Sequence, residues 1–462
     1  MSEASAGDTP TRTVSQRLAA AIASLTAAGV PQPVRERAGD VLLDVAGLCV
    51  AARNTDYVSA LKASFAGSSG NCTALGHAGG FDMQAAAMLN GTAAHGEDFD
   101  DTFEGGIVHS GAAVVPAVLA ACEQFRLDGG RALLGMCAGL ETMCRLSLVA
   151  PKLIHKAGFH PTAVLGAMAA TAAAGSALAL DERQLTDAFG LAGSFAGGII
   201  EYLSDGSWTK RMHPGWAAQA GIRAALMGRH GFAGPRRVLE GHHGFFNAFA
   251  HDAGRDFSVL LDGFGERWLL TDISFKPYPC GTMAQPYIDC ALRLAARGVQ
   301  PDAIAQIDCD TAEGYVHRLW DPLELKQAPP NAYAAKFSLP FIVAVALLKR
   351  EVGLGAFTDA AAADPQARAL AAKVRYRIDP DDPYPRVLTG HVRVTLRDGS
   401  VIEERQPYLR GGVNAPLTRT EIADKFLGNV RFGGWSDAQA QALRGALAAL
   451  FTGPVDLAAL RR

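Results

Sequence analysis

Apolar residues recur at helical spacing along the first 265 positions of the chain, and strand-like alternation is nearly absent there. One helical segment opens at Pro33 and places Val41, Leu42, Val45 and Cys49 at i, i+3, i+4 spacing, the pattern typical of a helix that buries one face. Similar spacing predicts helices over residues 83–94, 112–125, 131–148, 161–178, 182–196 and 215–230. The first part of the chain is therefore predicted to be all-helical.

The pattern changes after residue 268. Short β-prone runs cover residues 268–275, 305–309, 374–378 and 387–396. Asp398-Gly399 lies between two such runs and predicts a hairpin, because glycine readily takes the positive φ of a tight turn. Helical spacing returns over 419–450. We therefore predict a mainly α fold, with a large all-helical domain formed by residues 10–267 and 409–462 and a smaller inserted α+β lid domain at 268–408.

We consider two segments as candidates for a membrane span and a secretion signal, respectively. Residues 162–180 are mostly Ala and Gly with interspersed Thr and Ser, which predicts a buried helix packed closely through small side chains rather than a membrane span. Residues 1–12 are polar and carry acids, so we expect a frayed tail there and not a secretion signal.

Composition excludes several classes of partner. Lys and Arg number 43, Asp and Glu 46, and the net charge is −3, without the concentrated basic patch that nucleic-acid or membrane-surface binding requires. The eight cysteines form no Cys-x-x-Cys pair, which argues against a zinc site. Scattered free thiols fit a reducing compartment, so we expect a cytoplasmic protein.

The densest polar segment runs from residue 95 to residue 109 and holds five acids, two histidines and a threonine. It follows a helix predicted to end near Gly96. The segment is either a solvated acidic loop with helix-capping carboxylates, which we favour for Asp100 and Asp101 taken singly, or a metal-binding segment. Calcium is a weak alternative, because the Gly and terminal Glu of an EF-hand are missing.

Two further clusters place cations at predicted helix starts. Pro161 suits a first helical position, so His160 stands where free N–H groups attract anions, or it merely caps the helix. Lys210, Arg211 and His213 precede the helix predicted at 215–230, and they suit recognition of a carboxylate or form an ordinary wet charged surface.

A fourth cluster at residues 275–281, near the start of the predicted lid, holds Lys276 just before two prolines, Pro277 and Pro279. Its stiff loop lines an interdomain cleft or merely connects two elements. No Gly-x-Ser-x-Gly, phosphate-binding loop or His-Glu-x-x-His motif is present, so serine hydrolase, nucleotide and zinc protease chemistry have no support.

These clusters, in this order, resemble the MmgE/PrpD family, which includes 2-methylcitrate dehydratases, cis-aconitate decarboxylases and iminodisuccinate epimerases. The matching motifs are His-x-x-Asp-Phe-Asp-Asp-Thr at 95–102 with a following His109, Gly-Phe-His-Pro-Thr at 158–162, Thr-Lys-x-x-His-x-Gly at 209–215, Lys-x-Tyr-Pro-Cys at 276–280 and Ala-Lys-Phe-Ser-Leu-Pro at 335–340.

The resemblance implies a homodimer with a cleft between its helical and α+β domains, no metal or other cofactor, and a small polycarboxylate substrate. It also assigns the site. Residues that would face the reacting centre are Asp98, Thr102, His109, His160 and Lys210, and residues that would bind substrate are His213 and Lys276.

Two departures from the family pattern bear on the activity. Ser110-Gly111-Ala112 follows His109, where members similar to 2-methylcitrate dehydratase carry an aspartate. Gly281 follows Cys280, where members similar to the animal decarboxylase place a histidine. The resemblance therefore selects neither of these two reactions.

We place a cofactor-independent lyase of the dehydratase type first, acting on a di- or tricarboxylate, and an epimerase of the iminodisuccinate type close behind. A cis-aconitate-type decarboxylase and a catalytically silent carboxylate-binding protein are further alternatives. In the enzyme hypotheses Lys210, with Lys276, binds carboxylates and stabilises charge that develops beside them. The base is His109, His160 or Lys210, and the acid is Asp98 or a histidine.

Overall fold

The computed structural model describes residues 12–251 and 254–461, and the tail predicted over residues 1–12 lies outside them except for Arg12. The fold is mainly α, as predicted. The helices of the first part are α1 (Val14–Ala23), α2 (Gln32–Ala52), α3 (Asp56–Ser64), α4 (Met83–Gly96), α5 (Gly111–Phe125), α6 (Gly129–Val149), α7 (Leu153–Lys156), α8 (Pro161–Ala177), α9 (Glu182–Phe195), α10 (Tyr202–Asp205), α11 (Thr209–Arg229), α12 (Phe245–Ala250) and α13 (Ser258–Leu261). The later helices are α14 (Gln285–Ala296), α15 (Glu313–Tyr315), α16 (Leu323–Gln327), α17 (Ala332–Ala335), α18 (Leu339–Lys349), α19 (Asp359–Ala362), α20 (Pro365–Ala371), α21 (Arg419–Phe432) and α22 (Asp437–Ala449).

The strands form two small sheets. Their bounds are β1 (Thr102–Phe103), β2 (Ile273–Ser274), β3 (Ile304–Thr311), β4 (Val374–Ile378), β5 (Gly390–Leu396) and β6 (Val401–Gln406). β1 pairs with β2, and the larger sheet has the order β4-β3-β5-β6, with β3 parallel to β4 and antiparallel to β5. β5 and β6 form the predicted hairpin, where Gly399 has a φ of 86°.

Two hydrophobic cores occupy the described residues. The first combines apolar side chains from residues 18–275 with others from residues 417–460, so the C-terminal helices return to the first part as expected. The second is built from residues 278–394 around the four-stranded sheet and helices α14 and α18. The assignment of this second part as an inserted lid domain at 268–408 stays a prediction.

Helix α8 lies at the centre of the first core, packed against α5, α6, α9 and α11. Its small side chains permit very close approach: an added Cβ on Gly221 of α11 would lie 2.4 Å from the Cβ of Ala170. Helix α6 is long and apolar enough to cross a membrane, but 94% of its most apolar stretch is buried inside the protein. The core helix of a folded domain satisfies the same criteria.

Two segments differ from the sequence expectation. Helix α11 begins at Thr209 and contains Pro214, because packing on α4, α8 and α9 outweighs the disruption that a proline causes. Residues 268–275 were expected to be a strand but form a 3₁₀ turn followed by the two-residue β2. The reason is tertiary: the buried Glu141 carboxylate accepts the N–H groups of Leu269 and Leu270.

Candidate active site

The predicted site residues meet where four chain segments converge. Helix α4 ends at Gly96, and an added Cβ there would lie 2.2 Å from the Tyr57 hydroxyl, so only glycine fits. The acidic turn of residues 97–101 follows this end. Pairing of β1 with β2 sets Thr102 opposite Ser274 and so carries Lys276 to the turn. The first turns of α8 and α11 supply the remaining side chains.

Asp98 is the electrostatic centre of the site. Its Oδ1 accepts hydrogen bonds from the Nζ atoms of Lys210 at 2.8 Å and of Lys276 at 3.2 Å. Burial alone would raise the pKa of Asp98, but the two ammonium groups outweigh burial and hold that pKa well below its usual range. The Asp98 carboxylate correspondingly raises the pKa of Lys210 against the effect of burial. Asp98 is therefore a carboxylate and Lys210 an ammonium ion.

His109 presents a free ring nitrogen. Its Nδ1 lies 2.7 Å from the backbone oxygen of Asp101 and 3.3 Å from Oγ1 of Thr102. A carbonyl oxygen only accepts, so Nδ1 is assigned the proton and Nε2 keeps its lone pair. Burial lowers the pKa of His109 to about 4. His109 is thus a neutral imidazole oriented as a base.

His160 and His213 form a second imidazole unit. His160 is the N-cap of α8, as predicted, and its Nδ1 lies 3.1 Å from Nδ1 of His213. One nitrogen must donate to the other, so each ring orients its neighbour. Burial is the main reason that the pKa of His213 falls to about 4 and that of His160 falls well below its usual value; the nearby Lys210 adds to both shifts.

His95 and Asp100 complete the site and were not among the predicted residues. His95 lies in the last turn of α4, stacks on His160 with 5.5 Å between ring centroids, and lies 5.0 Å from the His109 ring. Its Nδ1 donates to Oδ2 of Asp100 at 2.7 Å. Burial would raise the pKa of Asp100, but His95 and His109 hold that pKa below its usual range. The polar density of residues 95–109 was the signal that could have identified both.

The expectation of a solvated loop at Asp100 and Asp101 is wrong, because both side chains are fully buried. The capping part of that expectation is correct for Asp101, whose carboxyl accepts the N–H groups of Ser110 and Gly111 at the start of α5. Burial, with the nearby Asp100 charge, raises the pKa of Asp101 to about 8. Asp101 therefore holds the turn against α5 and does not face solvent.

Arg211 lies beside the site and packs against aromatic rings. Its guanidinium lies 3.6 Å from Glu97 and over the rings of Tyr57 and Tyr333, at 4.4 and 5.0 Å from their centroids. Of the three cationic residues predicted near this helix start, Lys210 and His213 therefore enter the site and Arg211 does not.

Among the described residues, His95, Asp100 and His109 form the group whose donor atoms, within 4.8 Å of one another, could hold a metal ion. One nitrogen of each histidine is already engaged, because His95 Nδ1 binds Asp100 and His109 Nδ1 binds a carbonyl. The ammonium of Lys276 also acts on Asp100 and His109 and opposes a second cation there. The arrangement suits proton transfer better than coordination.

A cleft of about 730 Å³ lies on another side of the acidic turn. Phe99 and Pro277, the chain neighbours of Asp98 and Lys276, line it together with Lys425 of α21. None of the described residues that border it is a histidine. The side chains of Lys210 and His109 are only 15% and 11% exposed, so the polar cluster around Asp98 has a narrow opening to solvent, which we call the crevice.

The chain is similar to known proteins along most of its length. The chain matches the MmgE/PrpD N-terminal domain over residues 16–258 and the MmgE/PrpD C-terminal domain over residues 278–447. It is 29% identical to cis-aconitate decarboxylase of Mus musculus, over 74% of this chain and 71% of that protein. It is 27% identical to cis-aconitate decarboxylase of Aspergillus terreus, over 86% and 85%, and 28% identical to the 2-methylcitrate dehydratase-like protein oryR of Aspergillus oryzae, over 34% of each chain.

Proposed function

The chain belongs to the MmgE/PrpD family, and from this premise we propose that it is a cofactor-independent lyase of the dehydratase type. Its substrate is a small di- or tricarboxylate, from which it removes a proton α to a carboxylate. The known relatives are decarboxylases and a dehydratase-like protein, which supports an enzyme of this general type.

One observation carries the proposal: the ammonium groups of Lys210 and Lys276 converge on Asp98 beside a neutral His109. A carbon next to a carboxylate holds its proton too strongly for a side-chain base, unless cations stabilise the charge that develops. Two lysines in a water-poor crevice supply that stabilisation. In the absence of substrate, Asp98 keeps them in place.

The charges of the site residues support a specific choice of acid and base. Lys210 has a raised pKa and is charged, so it binds carboxylate and is a poor base. Asp98 is ionised and acts as the counter-ion of the lysines, not as the acid. His109 Nε2 takes the proton, and binding of a polyanion raises the pKa of His109 toward the working range. Binding of the polyanion raises the pKa values of His160 and His213 in the same way, so one of this pair takes up a proton from solvent and gives it to the departing hydroxyl, which leaves as water. His109 returns its proton to solvent when the unsaturated product leaves.

The test is a substrate panel of citrate, methylcitrate, cis-aconitate, tartrate and iminodisuccinate, followed by proton NMR in D₂O. A dehydratase yields an unsaturated acid from a hydroxy acid. Deuterium entering recovered substrate with inversion and without an unsaturated product would show an epimerase instead. Binding without any conversion would reduce the chain to a carboxylate-binding protein.

A cis-aconitate-type decarboxylase is the second candidate, because relatives of that name match most of this chain. Gly281 argues against it. An added Cβ there would lie 3.0 Å from the Phe337 ring, so this chain has filled with Phe337 the space that a larger side chain after Cys280 would need. Release of CO₂ from cis-aconitate in the same panel would establish this candidate.

We also propose a homodimer. Four large apolar side chains within residues 199–216 are 43–60% exposed, namely Ile199, Leu203, Trp208 and Trp216, and such exposure is typical of surfaces that another subunit covers. Sedimentation velocity tests the proposal, and a stable active monomer would refute it.

A further inference from the structure

Three buried lysines each donate a hydrogen bond to one of three consecutive backbone oxygens in the acidic turn, and we call this set of contacts the grip. Lys336 Nζ donates to the carbonyl of Glu97 at 2.8 Å, Lys276 Nζ to that of Asp98 at 2.8 Å, and Lys425 Nζ to that of Phe99 at 2.7 Å. The lysines come from three separate places in the fold. Lys336 follows α17, Lys276 follows β2, and Lys425 lies in α21.

Each lysine of this grip also has a carboxylate partner. Lys336 pairs with Glu97 at 2.9 Å, Lys276 with Asp98 at 3.2 Å and Lys425 with Asp44 at 2.7 Å. Burying an ammonium ion is costly unless it is both paired and hydrogen-bonded. All three lysines meet both conditions, so the grip is a built feature and not a chance contact.

The turn has a conformation that needs support. Asp98 has a φ of 55°, in the left-handed region that non-glycine residues rarely adopt. A residue stays in such a conformation only when its surroundings determine it. The oxygens of Glu97 and Asp98 belong to the two peptide groups of Asp98, which Lys336 and Lys276 therefore restrain. The oxygen of Phe99 belongs to the next peptide group, which Lys425 restrains.

Lys336 and Lys425 cannot reach a substrate in the crevice. Their side chains are 1% and 5% exposed, and Lys425 borders the separate cleft behind Phe99. Lys336 further donates to the carbonyl of Pro279 at 3.3 Å. It therefore ties the acidic turn to the loop that carries Lys276.

We propose that Lys336 and Lys425 are positioning residues that hold the Asp98 backbone so that its carboxylate orients Lys210 and Lys276. The inference rests on the proposed function for its kinetic consequence. It assigns a role to the Ala-Lys-Phe-Ser-Leu-Pro motif at 335–340 and a task in the site to helix α21, 326 residues away from Phe99 along the chain.

The test uses the full-length protein and two variants that release one oxygen each: Lys336→Met, and Lys425→Met combined with Asp44→Asn so that no buried carboxylate is left unpaired. Two controls match them. Asp44→Asn alone keeps the Lys425 contact to Phe99, and Lys326→Met removes a lysine that donates to the carbonyls of Arg318 and Phe337 only.

Hydrogen exchange followed by mass spectrometry reports on the grip without any substrate. Amides of residues 97–103 should exchange roughly tenfold faster in Lys336→Met than in Lys326→Met, and roughly tenfold faster in the Lys425→Met double variant than in Asp44→Asn alone. On the substrate identified by the panel, kcat of each release variant should fall about 10- to 100-fold below that of its control, with a smaller change in KM, and Lys326→Met should keep the wild-type activity.

The outcomes separate this inference from the proposed function. If no polycarboxylate is converted by the wild type, the proposed function fails, and the exchange rates still decide whether the turn is gripped. Unchanged exchange in both release variants overturns the grip. Faster exchange with an unchanged kcat overturns the positioning role.

Discussion

Helix α8 and the acidic turn of residues 97–101 are both buried, but they are stabilised in opposite ways. Residues 162–177 of α8 are almost all small, and they pack directly against neighbouring helices. In the turn, Asp98, Asp100 and Asp101 are 5%, 0% and 0% exposed, and lysines, imidazoles and backbone N–H groups compensate their charges. Burial in α8 is favourable in itself. Burial of the turn is costly and depends on every partner being present.

The difference explains where the chemistry lies. A core of Ala and Gly can be rigid but offers nothing to a substrate. A buried charged cluster is hard to justify by stability alone, since well-packed apolar residues stabilise as well or better. This contrast supports the proposal that the chemistry takes place at the acidic turn and that α8 belongs to the core that supports it.

Removal of a charge that faces the crevice should have the largest effect. We expect Lys210→Ala to lower kcat by roughly 10² or more, because an ammonium ion that stabilises developing charge is lost. Steady-state kinetics on the substrate from the panel checks this. Lys349→Ala, which removes an ammonium from an exposed pair with Asp364, should leave kcat unchanged. A protein that only binds would instead lose affinity in the Lys210 variant.

Overpacking of the small-residue core should cost stability without touching the charges. Gly221→Ala places a methyl group 2.4 Å from Ala170 Cβ and 2.6 Å from its backbone carbon, so we expect a loss of about 1–3 kcal/mol in unfolding free energy. Gly445→Ala on the exposed side of α22 meets no atom within 4 Å and should stabilise by about 0.5–1 kcal/mol. Urea unfolding measures the unfolding free energy of both variants. Equal changes in the two variants would contradict the prediction.

Buried imidazoles should make the protein sensitive to acid. Burial lowers the pKa values of His77, His109 and His213 to about 4, against about 6.5 when unfolded. Between pH 4 and 6.5 the unfolded chain binds more protons, so stability rises with pH across this window. Asp101, whose pKa burial raises to about 8, acts in the opposite direction, as do other buried acids with raised pKa values such as Asp44 and Glu141. His160, whose pKa burial lowers well below its usual value, adds to the effect of the three histidines. Unfolding free energy measured from pH 4 to 7 should therefore fall toward the acid end.

The variant His213→Gln isolates one of these groups. Between pH 6.5 and 4, the unfolding free energy of this variant should fall by about 1–2 kcal/mol less than that of the wild type. The matched variant His77→Gln removes a buried histidine outside the site and should flatten the profile similarly. If neither variant changes the slope, the acid sensitivity has another origin.

The smallest expected effect is a shift in pH dependence. Oδ1 of Asp100 lies 3.7 Å from Nδ1 of His109, and its charge raises the pKa of His109 against the effect of burial. Asp100→Asn should move the acid limb of the kcat/KM profile to lower pH by about one unit. Asp310→Asn removes the carboxylate beside His391 in the second part of the chain and should leave the profile in place. An unmoved acid limb in the Asp100 variant would show that His109 is not the base.

Periodicity and turn chemistry determined much of the fold at the sequence level. The end of α4 at Gly96, the His160 cap of α8, the β5–β6 hairpin and the helices within residues 419–450 all follow from local patterns. The candidate site residues were also visible, because polar side chains in otherwise apolar surroundings need a reason. Their catalytic roles stay predictions.

Only the tertiary structure decided that the acidic turn is buried and which residues compensate its charges. The partners of Glu97, Asp98 and Phe99 lie more than 100 residues away in the chain, and no local pattern specifies which lysine reaches which oxygen. The start of α11 and the conformation of residues 268–275 were decided in the same way. Local spacing sets which elements form, whereas the compensation of buried charge depends on how distant elements pack.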